Sequence, residues 1–286
     1  MFIIGGTASQ STAQDIAKQL KQPVAKTTIK RFPDKEAYVR IEENIKDEHV
    51  VLVQTTYPDE HILELFFLQD AVARAGADHI TVVIPYYGYG RQDQLFKQGE
   101  VISAQTIATH IQLQADEVIT VDPHKKHILD FFDIPATSCT AIPEIASYFK
   151  KKGTIDLVLA PDKGALNGAK QAAKHIGCSC DFLEKTRLDG TTVEMKPKNL
   201  EVQNQSVAII DDIISTGGTM AQAIQQLKQQ GAQHVYAACT HGLFTNNAVE
   251  KLQKAGVDDI IATDTIQNQF SNVKIAPAIA QMLASQ

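Results

Sequence analysis

An α/β fold of two tandem domains, each a parallel sheet covered by helices on both faces, is predicted by three observations. Short apolar runs alternate with segments of helical period along the whole chain. The runs are continuously apolar, as strands buried on both faces are, and do not alternate in the manner of a half-exposed sheet. Two marks repeat across the halves. Gly76-Ala77-Asp78-His79-Ile80 echoes Gly231-Ala232-Gln233-His234-Val235, and Asp116-Glu117-Val118-Ile119-Thr120-Val121-Asp122 echoes Asp258-Asp259-Ile260-Ile261-Ala262-Thr263-Asp264.

Taken in order, residues 2–4 form a buried strand, 5–9 a turn and 10–21 a helix. A strand over 27–30 leads through Arg31-Phe32-Pro33-Asp34-Lys35-Glu36 to a second over 38–41. The Val- and Leu-rich run 49–54 is a buried strand, 62–75 an apolar helix closed by Gly76, and 80–84 another buried strand. A long loop, Pro85-Tyr86-Tyr87-Gly88-Tyr89-Gly90-Arg91-Gln92-Asp93 and onward, ends at Ser103, a capping residue for a helix with Ile107, Ala108 and Ile111 on one face. The strand 118–121 precedes Asp122-Pro123-His124. The order then recurs, with a helix from Pro143, a strand over 157–160, a helix over 164–176, a strand over 181–183 and an irregular polar stretch over 184–195. After the strand, loop and helix of residues 207–231 come a strand over 234–239, a helix near 247–255, a strand at 260–261 and a helix near 277–283. The domains divide near Ile142-Pro143, giving 1–142 and 143–286.

An apolar content of 44% is enough for two cores, and a net charge of −6 with both signs scattered gives no electrostatic case for nucleic acid or an anionic membrane. The N-terminus lacks the basic head and long apolar stretch of a signal peptide, and no run has the length of a membrane span. Cys139, Cys178, Cys180 and Cys239 have neither zinc nor redox spacing and read as thiols of a reducing compartment. A cytoplasmic protein is expected.

The chemistry concentrates in Val207-Ala208-Ile209-Ile210-Asp211-Asp212-Ile213-Ile214-Ser215-Thr216-Gly217-Gly218-Thr219. An apolar strand runs into two carboxylates, then a hydroxyl- and glycine-rich turn, then a helix whose Met220, Ala223, Ile224 and Leu227 share one face. Glycines at 217 and 218 let successive N–H groups converge, the hydroxyls of Ser215, Thr216 and Thr219 add donors, and the helix N-terminus favours an anion. The aspartates need another partner, because a carboxylate and a phosphate charge about 6 Å apart repel by about 2.8 kcal/mol at an effective dielectric of about 20. Carboxylates accept from hydroxyls or hold Mg²⁺. Phosphate on one side and hydroxyls on the other describe a sugar phosphate. At the equivalent place the first half has Gln54-Thr55-Thr56-Tyr57-Pro58-Asp59, without the carboxylate pair or the glycines.

The strand, Asp-Asp and Ser/Thr-Gly-Gly-Thr order resembles the signature of the phosphoribosyltransferase (type I) fold. Together with the motifs of the first half, the chain resembles the ribose-phosphate diphosphokinase family from Gly6-Thr7-Ala8 to Thr240-His241-Gly242. That resemblance implies two phosphoribosyltransferase-like domains and transfer of a diphosphoryl group from ATP to the 1-hydroxyl of ribose 5-phosphate. It implies that Asp211 and Asp212 bind the ribose hydroxyls and that Ser215, Thr216, Gly217, Gly218 and Thr219 hold the 5-phosphate. Phe32 would stack on adenine, with Asp34 and Glu36 accepting from the nucleoside; Lys35 stands where the family has glycine. This loop would reach a neighbouring subunit, so at least a homodimer is implied. Arg91, Gln92 and Asp93 match the family's nucleotide motif. His124 matches a residue that meets Mg²⁺ and the nucleotide, a hydrogen bond to phosphate being the competing role, and Asp162 matches its carboxylate partner. Lys185 and Arg187 match the two catalytic cations. His127 is read as a neighbour without a role, and the glycine-rich 164–170 segment lacks phosphate-loop spacing.

A true phosphoribosyltransferase would share the Asp211–Thr219 loop but not need the first domain. A silent binding protein on the same scaffold is the remaining alternative.

Overall fold

The computed structural model describes residues 1–183, 185–187, 193–195 and 200–285, with side chains described outside 184–199. It divides into two compact units.

Unit 1 comprises Met1–Thr140, Thr265–Gln267 and Lys274–Gln286. Its elements begin with β1 (Phe2–Gly5), α1 (Gln10–Leu20), β2 (Thr27–Arg31), β3 (Ala37–Ile41), β4 (His49–Val53) and α2 (Glu60–Arg74). They continue with β5 (His79–Ile84), α3 (Ser103–Ile111), β6 (Glu117–Val121), a 3-10 segment (Lys126–Phe131) and β7 (Ala136–Cys139). Five parallel strands lie in the order β1-β4-β5-β6-β7. Val50, Val51, Leu52 and Val53 are all fully buried, as a strand covered on both faces requires. α2 lays Ile62, Leu65, Leu68 and Val72 on the sheet and is closed by Gly76 at φ +84°.

Two expectations change here. β2 and β3 do not join the parallel sheet; they pair only with each other as an antiparallel ribbon, and their residues are half-buried or exposed. Ser103 does not cap α3 but is its first residue, and the N–H of Ala104 donates instead to the carbonyl of Gln92 at 3.2 Å. A loop carbonyl has taken the capping role.

Unit 2 comprises Ala141–Asp264 and Asn268–Val273. Its elements begin with α4 (Ile142–Lys152), β8 (Leu157–Ala160), α5 (Leu166–Ile176), β9 (Ser179–Phe182), β10 (Lys185–Arg187), β11 (Val193–Met195) and β12 (Ser206–Ile214). They continue with α6 (Gly218–Gln229), β13 (His234–Gly242), α7 (Ala248–Lys254), β14 (Asp259–Thr263) and β15 (Ser271–Val273). Six strands lie in the order β15-β14-β13-β12-β8-β9, all parallel. The backbones of β10 and β11 pair antiparallel. Met220, Ala223, Ile224 and Leu227 of α6 are buried against Val207, Ile209, Val235 and Ala237, the face that the helical spacing indicates.

The order β8-β12-β13-β14-β15 repeats β1-β4-β5-β6-β7, with β9 added at one edge. The echo between the halves is therefore also an echo of topology. The final helix α8 (Ala276–Ala284) packs against α1 and belongs to unit 1, whereas the sequence division put it with residues 143–286.

Candidate active site

In unit 2 the site is built where β12 gives way to α6. β12 continues past both aspartates to Ile214, so Asp211 and Asp212 project from ordered strand rather than from a loop. Asp211 is paired in register with Cys239 of β13. Each aspartate also accepts the following N–H: Asp212 donates to Asp211 Oδ1 at 3.0 Å, and Ile213 to Asp212 Oδ1 at 2.8 Å.

The Ser215–Thr219 turn is anchored from behind by the segment after β13. Leu243 and Phe244 donate their N–H groups to the carbonyl of Ile214 at 3.0 and 3.1 Å, and Thr245 donates to the carbonyl of Ser215 at 3.0 Å. The hydroxyls of Ser215 and Thr245 lie 3.3 Å apart, and Lys251 Nζ donates to the carbonyl of Thr216 at 3.1 Å. Gly217 has φ +72°, a conformation that glycine adopts without cost. A Cβ there would lie 3.1 Å from Ala248 Cβ, whereas one on Gly218 would meet nothing within 4 Å. Gly217 thus serves the backbone, and Gly218 faces open space at the start of α6. The first N–H groups of a helix lack intrahelical partners and carry partial positive charge, so this opening suits an anion.

Asp162 follows β8, which pairs with β12. One Asp162 oxygen accepts from the N–H of Gly164 at 2.8 Å and of Ala165 at 3.2 Å. Burial pushes the carboxyl of Asp211 well above the usual carboxylate range, with the charge of Asp212 next and that of Asp162 also contributing. Asp212 and Asp162 both act on Asp211 through their negative charge, and carboxylate oxygens are the donors that hard cations take. Among the described residues no three His, Cys, Asp or Glu side chains form a ready-made metal cage.

In unit 1 the ribbon of β2 and β3 carries Phe32 at its tip, 43% exposed. Its ring meets Tyr38 edge-on at 5.8 Å, and Lys30 Nζ lies 5.5 Å from its centroid. Lys35 adopts φ +73°, so lysine here takes the left-handed conformation that glycine would favour. The turn is closed by Lys35 N–H donating to Phe32 O at 2.8 Å and by Arg31 Nη1 donating to Lys35 O at 2.9 Å. Asp34 Oδ1 accepts from the N–H of Glu36 at 3.0 Å, and both acidic side chains are exposed.

Arg91 is exposed, and Gln92 is half-buried with Nε2 3.4 Å from Glu100 Oε2. Asp93 is different: it is only 9% exposed and pairs with His127 Nε2 at 3.1 Å. Gly90 lies close under His124, a Cβ there falling 3.9 Å from His124 Cβ. The Arg91 turn and His124 are therefore neighbours within one unit.

In the first half the turn after β1 is closed by internal side chains. Buried Glu64 accepts from the N–H of Thr7 at 2.6 Å, the hydroxyl of Thr7 at 2.7 Å and Gln54 Nε2 at 2.9 Å. Gln54 Oε1 in turn accepts from Ala8 N–H at 3.2 Å. An internal carboxylate occupies the donors of the turn after β1.

Sequence reasoning missed Glu64, Thr245, Ala248 and Lys251. Each acts through a contact to a distant segment, and no local spacing marks them. Lys185 and Arg187 have side chains outside the described residues; only their backbone pairing with Val193–Met195 is described.

Comparison with known proteins decides the family. Residues 1–114 match the family model of the N-terminal domain of ribose phosphate pyrophosphokinase, and residues 137–278 match that of the phosphoribosyl transferase domain. A ribose-phosphate pyrophosphokinase of Methanosarcina mazei is 45% identical over 99% of this chain and 95% of its own length. The chain belongs to the ribose-phosphate pyrophosphokinase family. A second relative of that name, from Methanothermobacter thermautotrophicus, is 38% identical over 99% of both chains. The crystal structure of phosphoribosylpyrophosphate synthetase from Mycobacterium smegmatis superposes with a TM-score of 0.84 at 28% identity, covering 99% of this chain and 97% of that one. The two-domain pyrophosphokinase architecture therefore extends over the whole chain. No helix among the described residues is long and apolar enough to cross a membrane.

Proposed function

We infer that the chain is a ribose-phosphate pyrophosphokinase that makes phosphoribosyl diphosphate and AMP from ribose 5-phosphate and ATP. The 1-hydroxyl oxygen of the sugar attacks the β-phosphorus, the bond from that phosphorus to the α,β-bridging oxygen breaks, AMP leaves with that oxygen, and the hydroxyl proton is released. The observation that carries this reading is the Asp211-Asp212 strand end running into the Ser215–Thr219 cradle, in a chain that also carries the complete first domain of the family.

In this reading Asp211 and Asp212 accept from the ribose hydroxyls. Ser215, Thr216, Gly217, Gly218 and Thr219 receive the 5-phosphate at the start of α6. Phe32 offers an exposed face for adenine, Asp34 and Glu36 accept from the nucleoside, and Arg91 and Gln92 meet the polyphosphate, Arg91 as a permanently charged fork. His124 and Asp162 are the residues that would hold Mg²⁺, with His124 bonding directly to phosphate as the other possible role. When bound, Mg²⁺ would neutralise non-bridging phosphate oxygens. Lys185 and Arg187 would stabilise the charge that spreads over the transferring group. The family resemblance implies a homo-oligomer of at least two chains, in which the Phe32 ribbon, with its ring 43% exposed, serves a neighbouring copy. A cytoplasmic location fits its phosphorylated substrates.

A phosphoribosyltransferase would share the cradle. Incubation with ribose 5-phosphate, ATP and Mg²⁺ separates the readings. AMP release that requires ribose 5-phosphate is expected. Pyrophosphate release from phosphoribosyl diphosphate that depends on a base, without AMP, would indicate the transferase, and neither product would indicate a binding protein.

A further inference from the structure

A carboxylate is the wrong charge to receive a nucleotide's phosphates, so Asp93 in the Arg91-Gln92-Asp93 run needs another job. The structure turns it inward: Asp93 is 9% exposed, and its Oδ2 lies 3.1 Å from His127 Nε2. His127 is half-exposed and stands on the 3-10 segment that follows His124, its ring edge-on to Phe131 at 5.8 Å. The backbone on either side of Arg91 is fixed as well. A Cβ on Gly90 would lie 3.3 Å from Ile128 Cδ1, so the chain is pressed onto that same segment. Gln92 donates its N–H to Tyr89 O at 2.9 Å, and its carbonyl accepts from Ala104 at 3.2 Å. Arg91 thus projects from a short turn mounted at both ends, with the Asp93–His127 pair as the mount after it.

We propose that His127 is a positioning residue for the nucleotide site. Through Asp93 it fastens the 90–93 turn to the segment Lys126–Phe131, which sets where the guanidinium of Arg91 stands relative to His124. It also keeps the Asp93 carboxylate turned away from Arg91, where it would compete with phosphate for the same donors. This rests on the reading that Arg91 receives the polyphosphate of the nucleotide.

The test compares His127→Ala and His127→Gln, alone and combined with Arg91→Ala. It reads steady-state kinetics, calorimetric binding of a non-hydrolysable ATP analogue, and hydrogen exchange of residues 90–104 without substrate. His127→Ala is expected to raise the KM for ATP and weaken the analogue about ten-fold, with kcat and the KM for ribose 5-phosphate within about two-fold. His127→Gln keeps an N–H donor and should recover most of the loss. In the Arg91→Ala background His127→Ala should add less than about two-fold, because the histidine acts through the arginine. Exchange at Gln92 and Ala104 should speed up about ten-fold. An undiminished effect in the Arg91→Ala background, a loss confined to kcat, or unchanged exchange would overturn the proposal. If the wild type released no AMP, the functional reading would fail separately, while analogue binding and exchange would still decide the role of His127.

Discussion

Asp162, just after β8, adds its negative charge to the field at Asp211 on the neighbouring strand β12. Burial acts on Asp211 first, then Asp212, and the carboxyl is held well above its ordinary value. A raised folded value means that the folded chain holds this proton more tightly than the unfolded chain. The stabilisation is complete below the unfolded value of about 3.9 and is lost as pH rises through the folded value. At neutral pH the site without substrate therefore strains the fold. Asp211→Asn, a neutral isostere, should raise the unfolding midpoint of the substrate-free protein by about 2–4 °C, the shift that about 1 kcal/mol gives at this size. The same change should weaken ribose 5-phosphate about ten-fold or more, since a charged acceptor is replaced by an amide. Scanning calorimetry and titration calorimetry read the two halves; a lowered midpoint would contradict the electrostatic argument.

The two glycines of the cradle should separate stability from binding. Gly217→Ala places a Cβ in a left-handed backbone and 3.1 Å from Ala248 Cβ, so it should cost about 1–2 kcal/mol of stability and displace the turn. Gly218→Ala meets open space at a helix start and should leave stability unchanged or slightly raised. Its methyl group would nevertheless stand in the opening proposed for the 5-phosphate, so ribose 5-phosphate binding should still fall. Equal binding losses accompanied by equal destabilisation would mean that the opening is not the phosphate site.

Lys35 provides a gain-of-stability prediction. Its φ of +73° strains any residue with a Cβ, while the turn's hydrogen bonds use backbone atoms that glycine also supplies. Lys35→Gly should stabilise the ribbon tip by about 1 kcal/mol, less the larger unfolded-state entropy of glycine. The KM for ATP should stay within about two-fold, because Phe32 keeps its turn and its contact with Tyr38. Unchanged exchange at the tip, measured by amide hydrogen exchange, would show that the strain is relieved elsewhere.

What the sequence made legible was local. Val207 to Leu227 could be read in detail because strand, carboxylates, glycines and helix face are all coded within one segment. The supports of that loop could not, since Thr245 and Lys251 reach it from beyond β13 by contacts with no periodic signature. β7 and β15 escaped notice because Ala136–Cys139 and Ser271–Val273 are short and partly polar. β2 and β3 were recognisable as strands, but their half-exposed residues, unlike the fully buried run of β4, were the sign that they would stand apart. The Arg91-Gln92-Asp93 motif was visible as a run of residues, while the burial of Asp93 and its pairing with His127 were not, because no spacing links position 93 to position 127.

Outside the site, His49 should give unit 1 a measurable pH dependence. Its Nε2 lies 2.9 Å from Thr81 Oγ1, and its ring centroid lies 4.8 Å from that of His79. Burial lowers its affinity for a proton, the charge of His79 and the N-terminal ammonium lower it further, and Asp116 partly opposes them. The ammonium is itself paired with Glu48 at 2.9 Å. A histidine whose folded value lies below its unfolded value must stay neutral to favour the fold. Its contribution is therefore complete above the unfolded value of about 6.5 and declines as pH falls below it. His49→Gln keeps a hydrogen-bonding group toward Thr81 and cannot titrate. Urea midpoints measured from pH 8 to pH 5 should show the wild type losing stability relative to His49→Gln as pH drops, with the two curves parallel above about pH 7. Curves that stay parallel through the acid range would mean that His49 binds its proton as readily folded as unfolded, and that the two rings tolerate a charge between them.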